Sequence, residues 1–79
     1  MTKSKAIKNL NSKHDRYDLG VEQVSAPSGT FVAKAVLQIL ETSEKGPVVV
    51  RRSSAYGFGA SLLEAQDDAI VSTISNLGL

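Results

Sequence analysis

The chain has 79 residues, of which 9 are lysine or arginine and 8 are aspartate or glutamate, so its formal net charge is +1. Hydrophobic residues make up 42% and charged residues 22%, which is typical of an ordered globular domain and argues against intrinsic disorder. The absence of cysteine excludes disulfide scaffolds and thiolate zinc sites. No apolar run reaches the roughly 20 residues of a membrane-spanning helix, and the sequence predicts a cytoplasmic protein without membrane contact.

The size of the chain predicts self-association. A domain of roughly 60 to 80 residues buries only about 60% of the surface that its unfolded chain exposes, so its stability is marginal. Because disulfides and thiolate metal sites are excluded here, we expect the chain to gain stability by associating with itself, as a homodimer.

Charge is unevenly distributed along the chain. Residues 1–16 contain five basic side chains and one acidic one, a net charge of +4, whereas residues 17–79 contain four basic and seven acidic ones, a net charge of −3. This basic N-terminal arm is a candidate for binding the phosphates of a nucleic acid, through Lys3, Lys5, Lys8, Lys13 and Arg16. The alternative is a solvated N-terminus that docks on the acidic surface of the same chain.

The first predicted elements are a short helix and a strand. The helix lies within residues 1–16, where three apolar residues stand at helical spacing, and the strand covers Tyr17–Ser25, where apolar residues alternate. The sequence Ala-Pro-Ser-Gly at 26–29 is typical of a turn, since proline fixes φ and glycine allows positive φ.

The segment Thr30–Glu41 fits two structures. Its apolar residues share one face at a spacing of two residues, as in a strand, and they also form a stripe at a spacing of 3.6 residues, as in a helix. We predict a strand, because Thr42–Gly46 is short enough to be a hairpin connection to the next strand.

The third strand and the last helix have clearer signals. Val48–Tyr56 is rich in β-branched residues and follows a proline, which predicts a strand. Gly57-Phe58-Gly59 then predicts a flexible turn, and Phe58 is expected in the core because the chain has only four aromatic residues. The alternative is that an exposed Tyr56 or Phe58 stacks on a nucleic-acid base. A long helix is predicted over Leu62–Asn76, with Ser61 and Glu64 at the spacing of a capping box.

This element order predicts the α+β class. A short N-terminal helix is followed by a three-stranded antiparallel meander and by a long C-terminal helix packed on one face, the order αβββα. Residues 1–16 then form the basic arm with its short helix, and residues 17–79 form a single α+β domain.

The stretch GFGASLLEAQDDA at 57–69 resembles the last turn and helix of double-stranded-RNA-binding domains, whose pattern there is G-x-G-x-S-K-K-E-A-K. Tyr17 and Phe31 also stand where that family has a tyrosine in its first strand and a phenylalanine in its second. The resemblance covers nearly the whole chain and implies the αβββα fold. Similar glycine-turn-helix endings occur in the regulatory domains of isopropylmalate synthase-type enzymes and in single-strand annealing recombinases.

The chain departs from that family at the residues that contact RNA. Leu62, Leu63 and Gln66 stand where the family has lysines that reach phosphates, and Ala-Pro-Ser-Gly echoes the family's Gly-Pro-x-His loop without its histidine. The resemblance therefore implies the fold, while these departures predict a weakened duplex-binding surface.

Two further sets of residues are candidates for binding. Arg51 and Arg52 are adjacent on a predicted strand, so their side chains point to opposite faces; they either contact nucleic acid or protect the sheet from aggregation. Leu62 and Leu63 lie about 100° apart on the predicted helix, and Val71 falls on its acidic side. These three residues are candidates for a protein interface. The alternative is a wide buried face of the helix, with Val71 as an isolated surface residue.

Catalysis is not predicted. The only histidine, His14, stands beside Asp15 in the basic arm, and Asp67 and Asp68 diverge by about 100° on a helix, too far to share a metal readily. We therefore predict no enzyme, no metal and no cofactor. The sequence predicts a small non-catalytic binding or regulatory protein that acts through protein–protein contacts and associates with itself. The alternative is a weak nucleic-acid-binding protein that uses the basic arm with Arg51 and Arg52.

Overall fold

The computed structural model describes residues 2–79, which contain two helices and three strands. In chain order these are α1 (Lys3–Lys13), β1 (Tyr17–Val24), β2 (Phe31–Ser43), β3 (Gly46–Gly59) and α2 (Leu62–Ser75). The strands pair antiparallel in the order β1-β2-β3, which is a meander. The predicted αβββα order and the α+β class are confirmed.

The segment that fitted both a strand and a helix is a strand. Every second side chain along the middle of β2 is at most 3% exposed: Ala33, Ala35, Leu37 and Ile39. Because successive side chains of a strand point to opposite faces, these residues share one face of the sheet. The chain then reverses at residues 44–45 into β3, which confirms the predicted hairpin connection.

The glycine-rich sequence at 57–59 is not the predicted turn but the last part of β3. Gly57 is paired with Ala33 on β2, and α2 crosses directly over it. A Cβ atom at Gly57 would lie 2.2 Å from the carbonyl oxygen of Ala65 and 2.2 Å from the backbone nitrogen of Ala69. The absence of a side chain at Gly57 therefore allows α2 to pack directly on the sheet. The turn prediction is wrong because the glycine serves this close packing within a strand.

Strands β2 and β3 extend beyond β1 as a two-stranded ribbon. The pairing of β1 ends at Ile39, whereas β3 continues to pair with β2 as far as Ser43. A register shift after Ile39 leaves Val50 without a partner, as an extra residue in β3 that forms a β-bulge. The ribbon lengthens the molecule to 48 Å against 24 and 16 Å in the other directions.

Both helices cover the same face of the sheet and bury two apolar clusters against it. The first cluster joins α1, β2, the C-terminal part of α2 and the turn that follows it, through Ala6, Leu10, Leu37, Ile39, Ile74 and Leu77. The second contains only alanines, namely Ala33, Ala35, Ala65 and Ala69. These small side chains allow the N-terminal end of α2 to lie close to the sheet.

The basic N-terminal arm contains an ordered helix that contributes to the core. Ala6 and Leu10 on α1 are fully buried, and the ammonium of Lys3 lies 3.0 Å from a carboxylate oxygen of Asp67 on α2. Contact with the chain's own acidic surface, the second interpretation of the arm, is therefore present for Lys3. Lys5 and Lys8 remain exposed on the outer side of α1.

Local chemistry sets the start of α2. Ser61 is the N-cap, and its hydroxyl accepts a hydrogen bond of 3.2 Å from the backbone N–H of Glu64. The carboxylate of Glu64 reaches back, as in a capping box, but accepts from the N–H of Ala60 at 2.9 Å instead of from Ser61. Both bonds satisfy backbone donors, and the predicted start of the helix is confirmed.

Candidate functional site

No helix or strand of residues 2–79 covers the face of the sheet opposite α1 and α2, which we call the open face. Because the odd-numbered residues of β2 point to the helices, the even-numbered ones point away, and the cross-strand register places their partners beside them. The open face consists of four rows across β1, β2 and β3: Val24–Val32–Phe58, Glu22–Lys34–Tyr56, Gly20–Val36–Ser54 and Asp18–Gln38–Arg52.

Two aromatic side chains project from this face. Phe58 is 61% exposed and Tyr56 is 53% exposed, so the expectation that Phe58 lies in the core is wrong. The cause is the position of Gly57, which faces α2 because only bare backbone fits there. Strand alternation then sends residues 56 and 58 to the opposite side. At this end of the open face they stand beside Val24 and Val32 and form an apolar surface.

The charges of the open face balance but are segregated by strand. Both acidic residues, Asp18 and Glu22, lie on β1, whereas Lys34 lies on β2 and Arg52 on β3. The Lys34 ammonium lies over the Tyr56 ring, 5.7 Å from its centroid, within the range of a cation–π interaction. One edge of the face is therefore acidic, and the rest is basic.

A hollow of about 270 Å³ opens on the same face between β1 and β2. It is lined by Gly20, Val21, Glu22, Lys34 and Val36. Gly20 creates the space, since a Cβ atom built there meets no heavy atom within 4 Å. The face thus carries both projecting rings and a depression.

The free edge of β3 is partly occupied by side chains of α2. Asp68 accepts a hydrogen bond of 3.0 Å from the backbone N–H of Phe58, and the Asn76 amide donates to the carbonyl of Ser54 at 3.4 Å. Backbone groups that are already bonded in this way cannot pair with an added strand. The backbone groups of Ser54 and Phe58 at this edge are therefore not free to pair with an added strand.

The helix residues predicted as an interface differ in exposure. Leu63 is 63% exposed, Leu62 is half-buried, and Val71 is half-buried and packs against the first core cluster. Of the three candidates, Leu63 alone projects into solvent as a large apolar side chain.

The residues predicted to bind nucleic acid are dispersed. Lys3 pairs with Asp67, Lys5 and Lys8 lie on the outer side of α1, and Arg52 lies on the open face. The structure brings together Lys13, Arg16 and Arg51, which line an open cleft of about 510 Å³ between the end of α1 and the ribbon.

Hydrogen bonds hold two of the cleft's basic side chains in place. The Arg16 guanidinium donates to the hydroxyl of Thr42 at 2.7 Å, and Arg51 donates to the carbonyl of Leu77 at 3.4 Å. Asp15 and Glu41 also line the cleft and reduce its positive charge.

Residues 2–79 contain no group of three or more histidine, aspartate or glutamate side chains placed to hold a metal ion. Within the same residues, neither helix has the length and apolar character needed to cross a membrane.

The comparisons do not assign the chain to a known group of proteins. Comparisons with protein-family models, curated proteins and solved structures found no significant match. The function is therefore inferred from the chain's own residues.

The open face itself was not among the sequence predictions. The rows of this face became visible only with the cross-strand register, because each row combines residues that are up to 34 positions apart in the sequence. The sequence Val-Ala-Lys-Ala-Val at 32–36 does contain a signal, since on a strand it places the two valines on the face opposite the two alanines.

Proposed function

We propose that this chain is a small non-catalytic binding protein that acts through protein–protein contacts and associates with itself through the open face. The observation that carries the proposal is the exposure of Phe58 and Tyr56, at 61% and 53%, on a sheet face that the described residues leave uncovered. Apolar surface next to polar groups marks interaction sites, and aromatic residues are enriched at the centres of interfaces.

The charge of the open face favours a protein partner over a nucleic acid. Lys34 and Arg52 are matched by Asp18 and Glu22, so the face has no net charge with which to attract a phosphate backbone. Nucleic-acid-binding surfaces depend on an excess of lysine and arginine, since phosphate contacts supply most of the non-specific affinity.

We also propose that the resemblance to double-stranded-RNA-binding domains is one of fold. The αβββα order and the seating of α2 on Gly57 support it. Leu62 and Leu63 stand where that family has paired lysines, and the exposed carboxylate of Glu64 follows them. This helix end therefore favours an apolar contact over a duplex.

Replacing Phe58 by serine is expected to weaken self-association at least about tenfold in dissociation constant. Burial of a phenylalanine side chain contributes about 1.5–3 kcal/mol, and each 1.4 kcal/mol corresponds to a factor of about ten. Sedimentation velocity over a range of protein concentrations measures the change. Leu63→Ser is the matched control, because Leu63 is as exposed as Phe58 but lies on α2.

A wild-type chain that sediments as a monomer at high micromolar concentration would overturn self-association. A dimer that Leu63→Ser disrupts and Phe58→Ser leaves intact would place the interface at the N-terminal end of α2 instead.

The second candidate function is weak binding of nucleic acid through the cleft. It is favoured by one observation, the convergence of Lys13, Arg16 and Arg51 on its walls. Three cations at one site are able to contact adjacent phosphates, although Asp15 and Glu41 oppose this.

Under this second function, changing both Lys13 and Arg51 to glutamine is expected to reduce retention on duplex or single-stranded DNA at low salt. Affinity falls with salt, and each lost phosphate contact makes the slope of log affinity against log salt less steep by about 0.9 for duplex DNA, or about 1.8 for both. Lys45→Gln at the hairpin tip is the control. Deleting residues 1–16 is unsuitable, because it removes buried Leu10. Absence of any retention of the wild type at low ionic strength would dispose of this function.

A further inference from the structure

We propose that two copies of this chain stack open face against open face about a two-fold axis that runs parallel to β2. In this arrangement β1 of each copy lies over β3 of the other, and the strands of the two sheets stay aligned, as in one of the two common sheet packings. The inference rests on the proposed self-association and adds its orientation. An interface of this kind uses the same patch on both subunits, so the patch must be complementary to itself.

The distribution of charge selects this axis. Rotation about an axis parallel to β2 keeps each row opposite the same row and exchanges the first and third strands. Asp18 on β1 then faces Arg52 of the second copy, because both residues belong to the same row. Rotation about the perpendicular axis would instead place β1 over β1 with the row order reversed. The strand that carries Asp18 and Glu22 would then lie on its own copy, with no basic residue opposite it, which is unfavourable.

Lys34 adds a second charge pair. It lies on the central strand, where the axis would bring the two copies of a residue together, but its ammonium is displaced toward β3 and lies over the Tyr56 ring. That position is opposite β1 of the second copy, in the row that contains Glu22. The displacement thus converts a contact between like charges into a pair of opposite charges.

The shape of the face is also complementary to itself. The hollow at Gly20 lies between the rows of Gly20 and Glu22, on the β1 side. In the stacked arrangement this region is covered by Ser54 and Tyr56 of the second copy. The small Ser54 side chain allows close approach, and the half-exposed Tyr56 ring fills the hollow.

The area indicates a weak dimer. Three strands spaced about 4.8 Å apart and eight residues long at about 3.3 Å each give a footprint of roughly 380 Å² per copy. A stable complex buries roughly 800 Å² per partner. We therefore expect a dissociation constant in the micromolar range, which responds measurably to single substitutions.

Charge reversal tests the orientation. Asp18→Arg and Arg52→Asp are each expected to raise the dissociation constant at least about tenfold, because each places like charges in contact at two symmetric positions. The chain that carries both substitutions is expected to return to within about threefold of the wild type, because the two charges have exchanged sides. Sedimentation velocity gives the constants, and thermal unfolding of each variant at low concentration controls for stability.

Each outcome of this test is distinct. If the double variant associates no more tightly than the single variants, the proposed orientation is wrong, although the chain still dimerises. If Asp18→Arg associates more tightly than the wild type, the two-fold axis is the perpendicular one. A monomeric wild type overturns the proposed self-association itself. A monomer that binds a single-stranded oligonucleotide through Tyr56 makes nucleic acid the occupant of the face and also overturns the proposal.

Filling the hollow is an independent test. Gly20→Ile is expected to leave the monomer folded, because the new side chain enters open space, and to raise the dissociation constant at least about tenfold, because it displaces the Tyr56 ring of the second copy. Gln23→Ile is the matched control, since Gln23 is exposed on the same strand but its pairing with Ala33 places it on the helix side of the sheet. Unchanged association of folded Gly20→Ile would overturn the proposed stacking.

Discussion

Replacing Gly57 by alanine is expected to destabilise the fold by about 3 kcal/mol or more, the upper part of the range for overpacking. The added Cβ would lie 2.2 Å from two backbone atoms of α2, on Ala65 and Ala69, and backbone atoms within a helix cannot move aside individually. The helix would have to lift from the alanine cluster, which exposes Ala33 and Ala35. Urea unfolding followed by far-ultraviolet circular dichroism measures the change in the free energy of unfolding.

The control for this substitution is Gly20→Ala on β1. Nothing lies within 4 Å of a Cβ atom built at Gly20, and removing a glycine from a strand interior stabilises by roughly 0.5–1 kcal/mol when the backbone conformation permits it. A Gly57→Ala chain as stable as the wild type would show that α2 does not rest on this glycine.

Replacing Leu10 by alanine is expected to cost about 2–5 kcal/mol, the usual range for a leucine removed from a core. Leu10 is fully buried, with 0% of its surface exposed, and it shares the first cluster with Leu37 and Ile74. The substitution therefore leaves a cavity where α1 packs against the sheet. The same urea experiment measures the loss. Lys8→Ala, on the exposed side of α1, is the control and is expected to change stability by less than about 0.5 kcal/mol.

A loss below about 1 kcal/mol for Leu10→Ala would contradict the packing of α1, since truncating a fully buried leucine costs more than that. Such a result would indicate that the basic arm is held only loosely. Deleting residues 1–16 would then be a usable test of nucleic-acid binding, because it would not unfold the rest of the chain.

Local sequence patterns were sufficient to predict most of the fold. The start of α2 follows from Ser61 and Glu64, whose side chains bond to nearby backbone groups. The choice of a strand for β2 depended on the short connection that follows it, because its apolar pattern also fits a helix. Such features act over a few residues, so one sequence is enough to identify them.

The features that failed depend on tertiary contact. Gly57 looks like a turn residue until α2 is placed across it, and the exposure of Phe58 follows from that placement. Val71 was expected on a polar surface, but it is half-buried because α1 packs beside α2. Identifying the open face requires the register between the three strands. Hydrophobic periodicity describes one strand at a time and does not determine how neighbouring strands align.

The most direct measurement of the central claim is a dilution series of methyl and amide nuclear magnetic resonance spectra. If the open face is the contact between two copies, signals of Val32, Val36 and Tyr56 will shift with protein concentration, while those of Leu63 will stay constant. Shifts confined to the helix surface around Leu63, or no shift up to high micromolar concentration, would contradict the account.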